Sequence, residues 1–300
     1  MKNIFTFFLL VVVSLAYSQP IPDTVYRVSV DQPLFENQKG PKVLIDEAHN
    51  NLHLKEGGLY AFTRMMEDDG AQVFANQNKF TPTVLEGYDV LIIANALNDS
   101  NVGSWRNPCP SAFISTEIDA IENWVLNGGR LFLVADHMPY GGAAQDLAKR
   151  FDVEWSNSFA IQNGRHWPPS IFDRNHNTLF DSPVTTDSKN TKGVSRIGSF
   201  TGSVFKAPSE AIPFLIYDNS HGILMPEIAW QFSEETKSEN SEGWMQGACM
   251  SFGKGKMVLL GEAAMITAQL RGRTKIGMNS PDAPENGQLA LNIFRYLSTD

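Results

Sequence analysis

The chain has 300 residues, a formal net charge of −9 at pH 7 and two cysteines. Because it carries no cluster of lysine or arginine, this negative charge argues against nucleic acid and anionic membrane surfaces as partners. Cys109 and Cys249 are too few for a disulfide framework or a thiolate metal site, and the sequence leaves open whether they pair with each other.

The chain begins with the features of a secretory signal peptide. Lys2 precedes an apolar run over residues 4–13, and Ala16-Tyr17-Ser18 forms a small-residue end. A membrane anchor is the alternative, but the run falls short of the roughly 20 residues that a spanning helix needs. We therefore predict a signal peptide over residues 1–18, cleavage before Gln19 and export to the periplasm or beyond, with no membrane span in the mature protein. The mature chain would have 282 residues, near the upper size for one hydrophobic core.

After a polar lead-in over residues 19–41, short apolar runs alternate with helical patterns. Strands are predicted at residues 42–46, 71–75, 89–95 and 130–135. Apolar positions at helical spacing predict one helix from about Leu59 that stops at Gly70, and a second from Ser115 that stops at Gly128. This order predicts an α/β fold with a doubly wound, mostly parallel, flavodoxin-like sheet.

The pattern changes in the second half of the chain. Residues 156–208 are rich in Pro, Asn, Asp and Ser, which predicts an irregular insertion on the surface of a single α/β domain over residues 42–300. Further strands are predicted at residues 212–217, 228–232, 245–252 and 256–261. The last two form an antiparallel hairpin through Gly253-Lys254-Gly255, and a helix over residues 289–297 closes the chain.

Polar side chains follow three of the predicted strands. Because ligands bind beyond the carboxyl ends of parallel strands, these are the candidate functional residues. The carboxylates and imidazoles suit an acid–base pair or an oxygen and nitrogen metal site. The structural alternative is that each residue caps a helix or tightens a turn. The candidate catalytic residues are Asp46, Glu47, His49, Asp136, His137 and Glu262.

Two further sets of residues extend this candidate site. Asn50, Tyr140 and Trp167 are candidate ligand contacts, because an amide and two aromatic rings can hydrogen-bond to and stack on a small molecule or a sugar. His49, His53 and His137 are candidate ligands for a divalent metal, the cofactor class that these residues suggest. His49 and His53 lie four residues apart and would share one face only if that stretch were helical.

Several segments together resemble a family of exported bacterial proteins of unknown function. They are Asp46-Glu47-Ala48-His49-Asn50-Asn51, Ala135-Asp136-His137-Met138-Pro139-Tyr140, and residues 141–144, 199–202, 261–265, 277–279 and 286. That family is similar to the class I glutamine amidotransferase-like fold, and the resemblance runs from about residue 42 to residue 297. The resemblance indicates the fold of this chain, but it does not indicate which reaction the protein catalyses.

The resemblance also implies what this chain lacks. The wider fold group implies a nucleophilic cysteine in a Gly-x-Cys-x-Gly turn and a later His-x-Glu pair. Here the comparable turn reads Asp136-His137-Met138, and no His-x-Glu occurs. We therefore expect a retained scaffold without cysteine-dependent amidotransferase chemistry. No Gly-x-Ser-x-Gly occurs either, so nothing in the sequence supports a serine hydrolase.

Two classes of function follow from these residues. The first is an exported hydrolase that uses the clustered carboxylates and histidines, with or without a metal, on a polar or carbohydrate-type substrate. The second is a non-catalytic protein, either a ligand- or glycan-binding module or an interaction part of an envelope complex. The sequence leaves the substrate and the oligomeric state open.

Overall fold

A computed structural model describes residues 20–162, 167 and 169–299. The predicted signal peptide and its cleavage site lie outside these residues. In the described part of the chain the α-helices are α1 (Tyr60–Asp68), α2 (Pro82–Leu85), α3 (Ser115–Leu126), α4 (Tyr140–Lys149) and α5 (Asn286–Ser298). Asp99–Asn101 and Ala264–Ile266 form single 3₁₀ turns.

The strands are short except where they build the centre of the fold. They are β1 (Ile21–Pro22), β2 (Lys42–Asp46), β3 (Gln72–Asn76), β4 (Val90–Ala94), β5 (Arg130–Val134), β6 (Glu154–Trp155), β7 (Phe159–Gln162), β8 (Ser170–Asp173), β9 (Arg196–Ser199), β10 (Phe205–Lys206), β11 (Ile212–Ile216), β12 (His221–Met225), β13 (Lys237–Asn240), β14 (Met245–Phe252), β15 (Gly255–Leu260), β16 (Ala268–Arg271) and β17 (Thr274–Gly277).

Among the described residues, the central sheet has nine strands in the order β3-β2-β4-β5-β15-β14-β10-β6, with β11 also paired to β14. The first five are parallel to one another, and β14, β10, β6 and β11 join by antiparallel pairing. Smaller antiparallel sheets are formed by β1-β16-β17, β13-β12-β7 and β8-β9. The fold is thus mixed α/β around a mostly parallel sheet, and the doubly wound arrangement stays a prediction.

The apolar core lies on both faces of the parallel strands. Side chains alternate across a strand, so Val43 and Ile45 of β2 belong to the core that includes α1 and α5, whereas Leu44 belongs to the core that includes α3 and α4. All five residues of β4 are buried, as expected for a strand covered on both sides. This packing holds the carboxyl ends of the strands in fixed positions.

In the second half of the chain, one predicted strand is not formed and one segment predicted to be irregular contains strands. The predicted strand at residues 228–232 was wrong: Ile228 makes only an isolated bridge to Arg106, and Trp230 has a φ of 67°, which ends any extended run. The described residues between 156 and 208 carry four short strands, and β10 joins the central sheet. No helix in the described ranges is long and apolar enough to cross a membrane.

Candidate active site

The carboxyl ends of β2, β4, β5 and β15 bring five polar side chains to one edge of the central sheet. These strands are neighbours in the sheet and run parallel, so the residues after them meet even though the sequence separates them widely. We call this group the strand-end cluster. Its members are His53, Asn95, Asp136, His137 and Glu262, each less than one tenth exposed.

Asp136 is fixed by backbone groups from two strand ends. One carboxylate oxygen accepts a hydrogen bond from the backbone N–H of His137 at 2.7 Å, and the other accepts one from Ala263 at 3.4 Å. The backbone N–H of Asp136 donates to Oδ1 of Asn95 at 2.9 Å. Asn95 itself has a φ of 51°, a left-handed conformation that asparagine adopts more readily than most residues. Hydrogen bonds around Asp136 therefore link the ends of β4, β5 and β15.

Glu262 is a buried carboxyl group with one oxygen satisfied and one free. Its Oε1 accepts hydrogen bonds from the backbone N–H groups of Phe200 at 2.7 Å and Thr201 at 2.9 Å. Burial raises the pKa of Glu262 well above its usual value, and the neighbouring charge of Asp136 raises it further, against the smaller effect of the two backbone hydrogen bonds. Burial therefore favours the protonated form of Glu262, and Oε2, which accepts no hydrogen bond from the described residues, is the oxygen that can carry the proton.

Two buried polar atoms of the strand-end cluster have no hydrogen-bond partner among the described residues. They are Oε2 of Glu262 and Nδ2 of Asn95, and the hydroxyl of the adjacent Tyr217 is a third. Ser199 lies beside Glu262 and Tyr217, but its hydroxyl donates to the backbone oxygen of Thr201 at 2.8 Å. Because unpaired buried polar groups are costly, such atoms indicate a place for a ligand or for ordered water.

His53 is a neutral imidazole on the β2 side of the cluster. Burial lowers its pKa to about 4, the nearby His137 lowers it too, and the charge of Asp136 opposes both. Its position requires a glycine at residue 58, because a Cβ atom there would lie only 2.1 Å from Nδ1 of His53. The imidazole is thus held by a close approach of the backbone.

His137 sits inside an aromatic cage. Its ring stacks on Phe159 with centroids 4.5 Å apart and planes 11° apart, and Trp230 meets it edge-on at 4.7 Å. Trp105 lies further out, at 5.9 Å. Nδ1 of His137 lies 2.8 Å from the backbone oxygen of Met138, so in the neutral ring Nδ1 carries the proton and Nε2 is the free acceptor. Asp136 and His137, each 9% exposed, form the accessible side of the cluster.

Asp46 and His49 belong to a separate buried network. Nδ1 of His49 lies 2.9 Å from both carboxylate oxygens of Asp46, and Nε2 lies 2.9 Å from Oε1 of Glu117. The imidazole packs between Phe80 and Phe113, with ring centroids 5.0 and 4.8 Å away. Burial alone would lower the pKa of His49, but the two carboxylates raise it above its usual value. This network joins the end of β2 to the first turn of α3.

The remaining predicted residues have local contacts outside the cluster or at its margin. Glu47 accepts hydrogen bonds from the backbone of Lys55 and the side chain of Gln77, both at 2.7 Å. Asn50 donates to Asp99 at 2.7 Å, which braces the loop after β4. Tyr140 is buried behind the aromatic cage. Trp167, 40% exposed, lies 6.1 Å from Phe200, the residue whose N–H binds Glu262.

The structure does not gather the predicted metal ligands into one set. Within the described ranges, no group of three or more His, Cys, Asp and Glu side chains has the arrangement of a metal site. Both nitrogens of His49 already face carboxylates, so it offers none to an ion. Cys109 and Cys249 are separate free thiols.

Several residues that complete the two groups were not predicted from the sequence. Asn95 ends a predicted strand and could have been included on that ground. Glu117 was visible only as an acidic residue in the first turn of a helix, and Trp230 lay in a segment predicted to be a strand. Tyr217 is the last residue of a predicted strand, and nothing in the sequence indicates that its side chain lies beside Glu262.

Comparison with known proteins informs the fold and leaves the reaction open. No family profile and no curated protein matches the chain. Among solved structures it is similar to the mmIFT52 N-terminal domain, with 12% identity, a TM-score of 0.61, and coverage of 86% of this chain and 98% of that one. It also matches a putative ThuA-like protein from Bacteroides uniformis at 16% identity and a TM-score of 0.44, covering 88% and 94% of the two chains. A putative GMP synthase protein from Thermoplasma acidophilum matches at 8% identity and a TM-score of 0.41, covering 86% and 94%. The first likeness shows a shared α/β fold.

Proposed function

We propose that this protein is an exported hydrolase that acts on a polar, carbohydrate-type substrate at the strand-end cluster. The observation that carries the proposal is a pair of adjacent buried carboxyl groups with different hydrogen-bond partners. Burial raises the pKa of Glu262, whose Oε2 has no partner among the described residues, while the two oxygens of Asp136 accept hydrogen bonds from two backbone N–H groups. Two titratable groups whose environments separate their protonation states are suited to act as acid and base.

The proposal gives each group a role. Asp136 takes a proton from the attacking water, and Glu262 gives its Oε2 proton to the oxygen of the leaving group as the bond to that oxygen breaks. His53, neutral at pH 7, is placed to hydrogen-bond to the substrate beside Asp136. Trp230, which lies beside His137 and is 41% exposed, supplies an apolar ring on which a sugar can stack.

The same proposal includes the scaffold. We infer that the chain is a doubly wound, glutamine amidotransferase-like protein in which Asp136-His137-Met138 occupies the turn that holds the cysteine in that fold group. The order of the parallel strands supports this inference. In this proposal, the carboxyl groups of Asp136 and Glu262 carry out hydrolysis in place of the cysteine thiolate that the fold group uses.

A ligand-binding module is the second candidate, and Trp230 is the observation that favours it. Its ring is 41% exposed beside His137, and its φ of 67° is an unfavourable conformation for a bulky residue. Backbone strain of this kind persists where the surrounding structure imposes it, and it is frequent at ligand-binding sites. Stacking of a glycan on Trp230 needs no catalytic step.

The test is a hydrolysis screen with matched variants. The purified protein is incubated with a panel of polysaccharides and 4-nitrophenyl glycosides, and products are detected by mass spectrometry. For a substrate that is cleaved, Asp136→Asn should lower the rate by about 100-fold or more, the usual contribution of a general base. Asp146→Asn, an exposed aspartate on α4, is the control and should retain the wild-type rate. Saturable binding without any product would favour the binding module, and equal rates in both variants would contradict the assigned role of Asp136.

A further inference from the structure

A second group of polar side chains lies outside the strand-end cluster, where β8 meets β12. Oγ of Ser170, the first residue of β8, lies 2.8 Å from Nε2 of His221, the first residue of β12. Nδ1 of the same imidazole lies 2.9 Å from Oγ of Ser220, and that oxygen lies 2.5 Å from Oδ1 of Asp218. Four side chains therefore form one continuous chain of hydrogen bonds.

The carboxylate at one end of this chain determines the direction of every hydrogen bond in it. Asp218 can only accept, so the hydroxyl of Ser220 donates to it. The oxygen of Ser220 must then accept from Nδ1 of His221, which places the imidazole proton on Nδ1. Nε2 is left with a lone pair and accepts from the hydroxyl of Ser170. This is the tautomer that a general base needs in order to take the proton of a serine.

The surroundings keep His221 neutral and Ser170 accessible. Burial lowers the pKa of His221 to about 4, against the opposing charge of Asp218, so the ring is an acceptor at neutral pH. Burial would raise the pKa of Asp218, but the hydrogen bonds from Ser220 and the nearby His221 and His176 lower it overall. Ser170 is only partly buried, and the described contacts give its hydroxyl no partner other than His221.

We propose that Ser170 is a nucleophile activated by His221, and that the two form an acyl-transfer site for carboxylic esters, distinct from the strand-end cluster. Oγ of Ser170 bonds to the ester carbonyl carbon while its proton moves to Nε2 of His221. The alcohol leaves with that proton when its bond to the carbonyl carbon breaks. Water then attacks the acyl-serine, its proton passes through His221 to Ser170, and the carboxylic acid is released. Ser220 and Asp218 are positioning residues that hold the imidazole in the required tautomer.

Labelling of the purified full protein with a fluorophosphonate tests the proposal without knowledge of the natural ester. The reagent bonds through phosphorus to an activated serine and releases fluoride, while the serine proton moves to the base. We expect one adduct per chain, mapped to Ser170 by peptide mass spectrometry, and none in Ser170→Ala. His221→Gln should slow labelling by about 100-fold or more, the range expected for loss of a general base.

Ser251→Ala is the matched control, because Ser251 is an exposed serine on β14 that belongs to neither site, and it should label at the wild-type rate. A melting curve shows whether each variant is folded. Folded wild-type protein with no adduct at Ser170 would overturn the proposal. So would equal labelling rates in the wild type and a folded His221→Gln variant, because a serine braced by a merely structural hydrogen bond does not depend on the imidazole for reactivity.

Discussion

Nε2 of His49 lies 2.9 Å from Oε1 of Glu117, although 68 residues separate them, and this contact joins the end of β2 to the start of α3. The opposite nitrogen faces Asp46, so a charged imidazole is shared by two buried carboxylates. Glu117 also accepts hydrogen bonds from the backbone N–H groups of Phe80 at 3.0 Å and Ile114 at 3.1 Å. The network therefore fixes the edge of the sheet beside the strand-end cluster.

His49→Gln should destabilise the protein by about 3–5 kcal/mol at pH 6, because it leaves two buried carboxylates without a counter-charge. The pKa of His49 is raised in the folded state. Its stabilising effect is therefore fully present below the unfolded value of about 6.5 and is lost as the pH rises through the folded value. Urea unfolding should show that the free energies of unfolding of the wild type and the variant differ less at pH 9 than at pH 6.

His176→Gln is the control for that experiment, since His176 pairs with Asp173 on the surface and its side chain is 73% exposed. Its effect should stay within about 0.5 kcal/mol at both pH values, as is usual for exposed pairs. If the loss of stability caused by His49→Gln were the same at both pH values, the imidazole between the two carboxylates would not carry a charge that depends on pH in this range, which would contradict the prediction.

Gly58→Ala should disturb the strand-end cluster through His53. The new Cβ atom would lie 2.1 Å from Nδ1 of that ring, so either the imidazole or the backbone must move, at a cost of about 1–3 kcal/mol. Gly57→Ala is the matched control, because its Cβ atom would lie 3.4 Å from Leu54, an ordinary contact. Urea unfolding of the two variants measures the difference, and equal stabilities would contradict the close approach of Gly58 to His53.

Trp230→Ala should uncover His137. Diethyl pyrocarbonate acylates an imidazole nitrogen that is free of other bonds; in His137 this is Nε2, since Nδ1 faces the backbone oxygen of Met138, and the ring of Trp230 lies 4.7 Å from the imidazole, centroid to centroid. We expect His137 to react several-fold faster in the variant, while His49 stays protected because both its nitrogens are engaged. Phe74→Ala, which removes an equally exposed ring at the sheet edge, is the control. Peptide mapping would contradict this account if His137 reacted at the same rate in all three proteins.

The middle of the central sheet could be predicted from the sequence because strands such as β4 are fully buried. Runs such as Val90–Ala94 are apolar throughout and flanked by polar or glycine residues, a pattern that local chemistry alone explains. The segment at residues 228–232 is apolar except for Gln231, yet it is not a strand. Its conformation depends on contacts of Trp230 with His137 and Phe159, which lie far away in the sequence.

The candidate site was predictable only to the extent that it follows from sheet topology. Asp136 and Glu262 come directly after parallel strands, so their proximity could be expected from the sequence. Asp46 is the last residue of such a strand, but its partner is His49, which in turn faces Glu117 on a distant helix. The bond between Ser170 and His221 joins positions 51 residues apart and has no sequence motif. Pairings of this kind are set by tertiary packing.

The protonation state of Glu262 decides whether the strand-end cluster can act as proposed, because the hydrolase needs a protonated carboxyl group beside Asp136. Infrared spectroscopy of the purified protein at pH 7 should show the carbonyl stretch of a protonated carboxyl group, and Glu262→Gln should remove it. Because the pKa of Glu262 is raised in the folded state, the free energy of unfolding of the wild type should fall as the pH rises above the unfolded pKa of about 4.5. Glu262→Gln lacks this group, so its free energy of unfolding should rise relative to that of the wild type between about pH 5 and pH 8. A wild-type spectrum without that band, or with a band that persists in folded Glu262→Gln, would contradict the account.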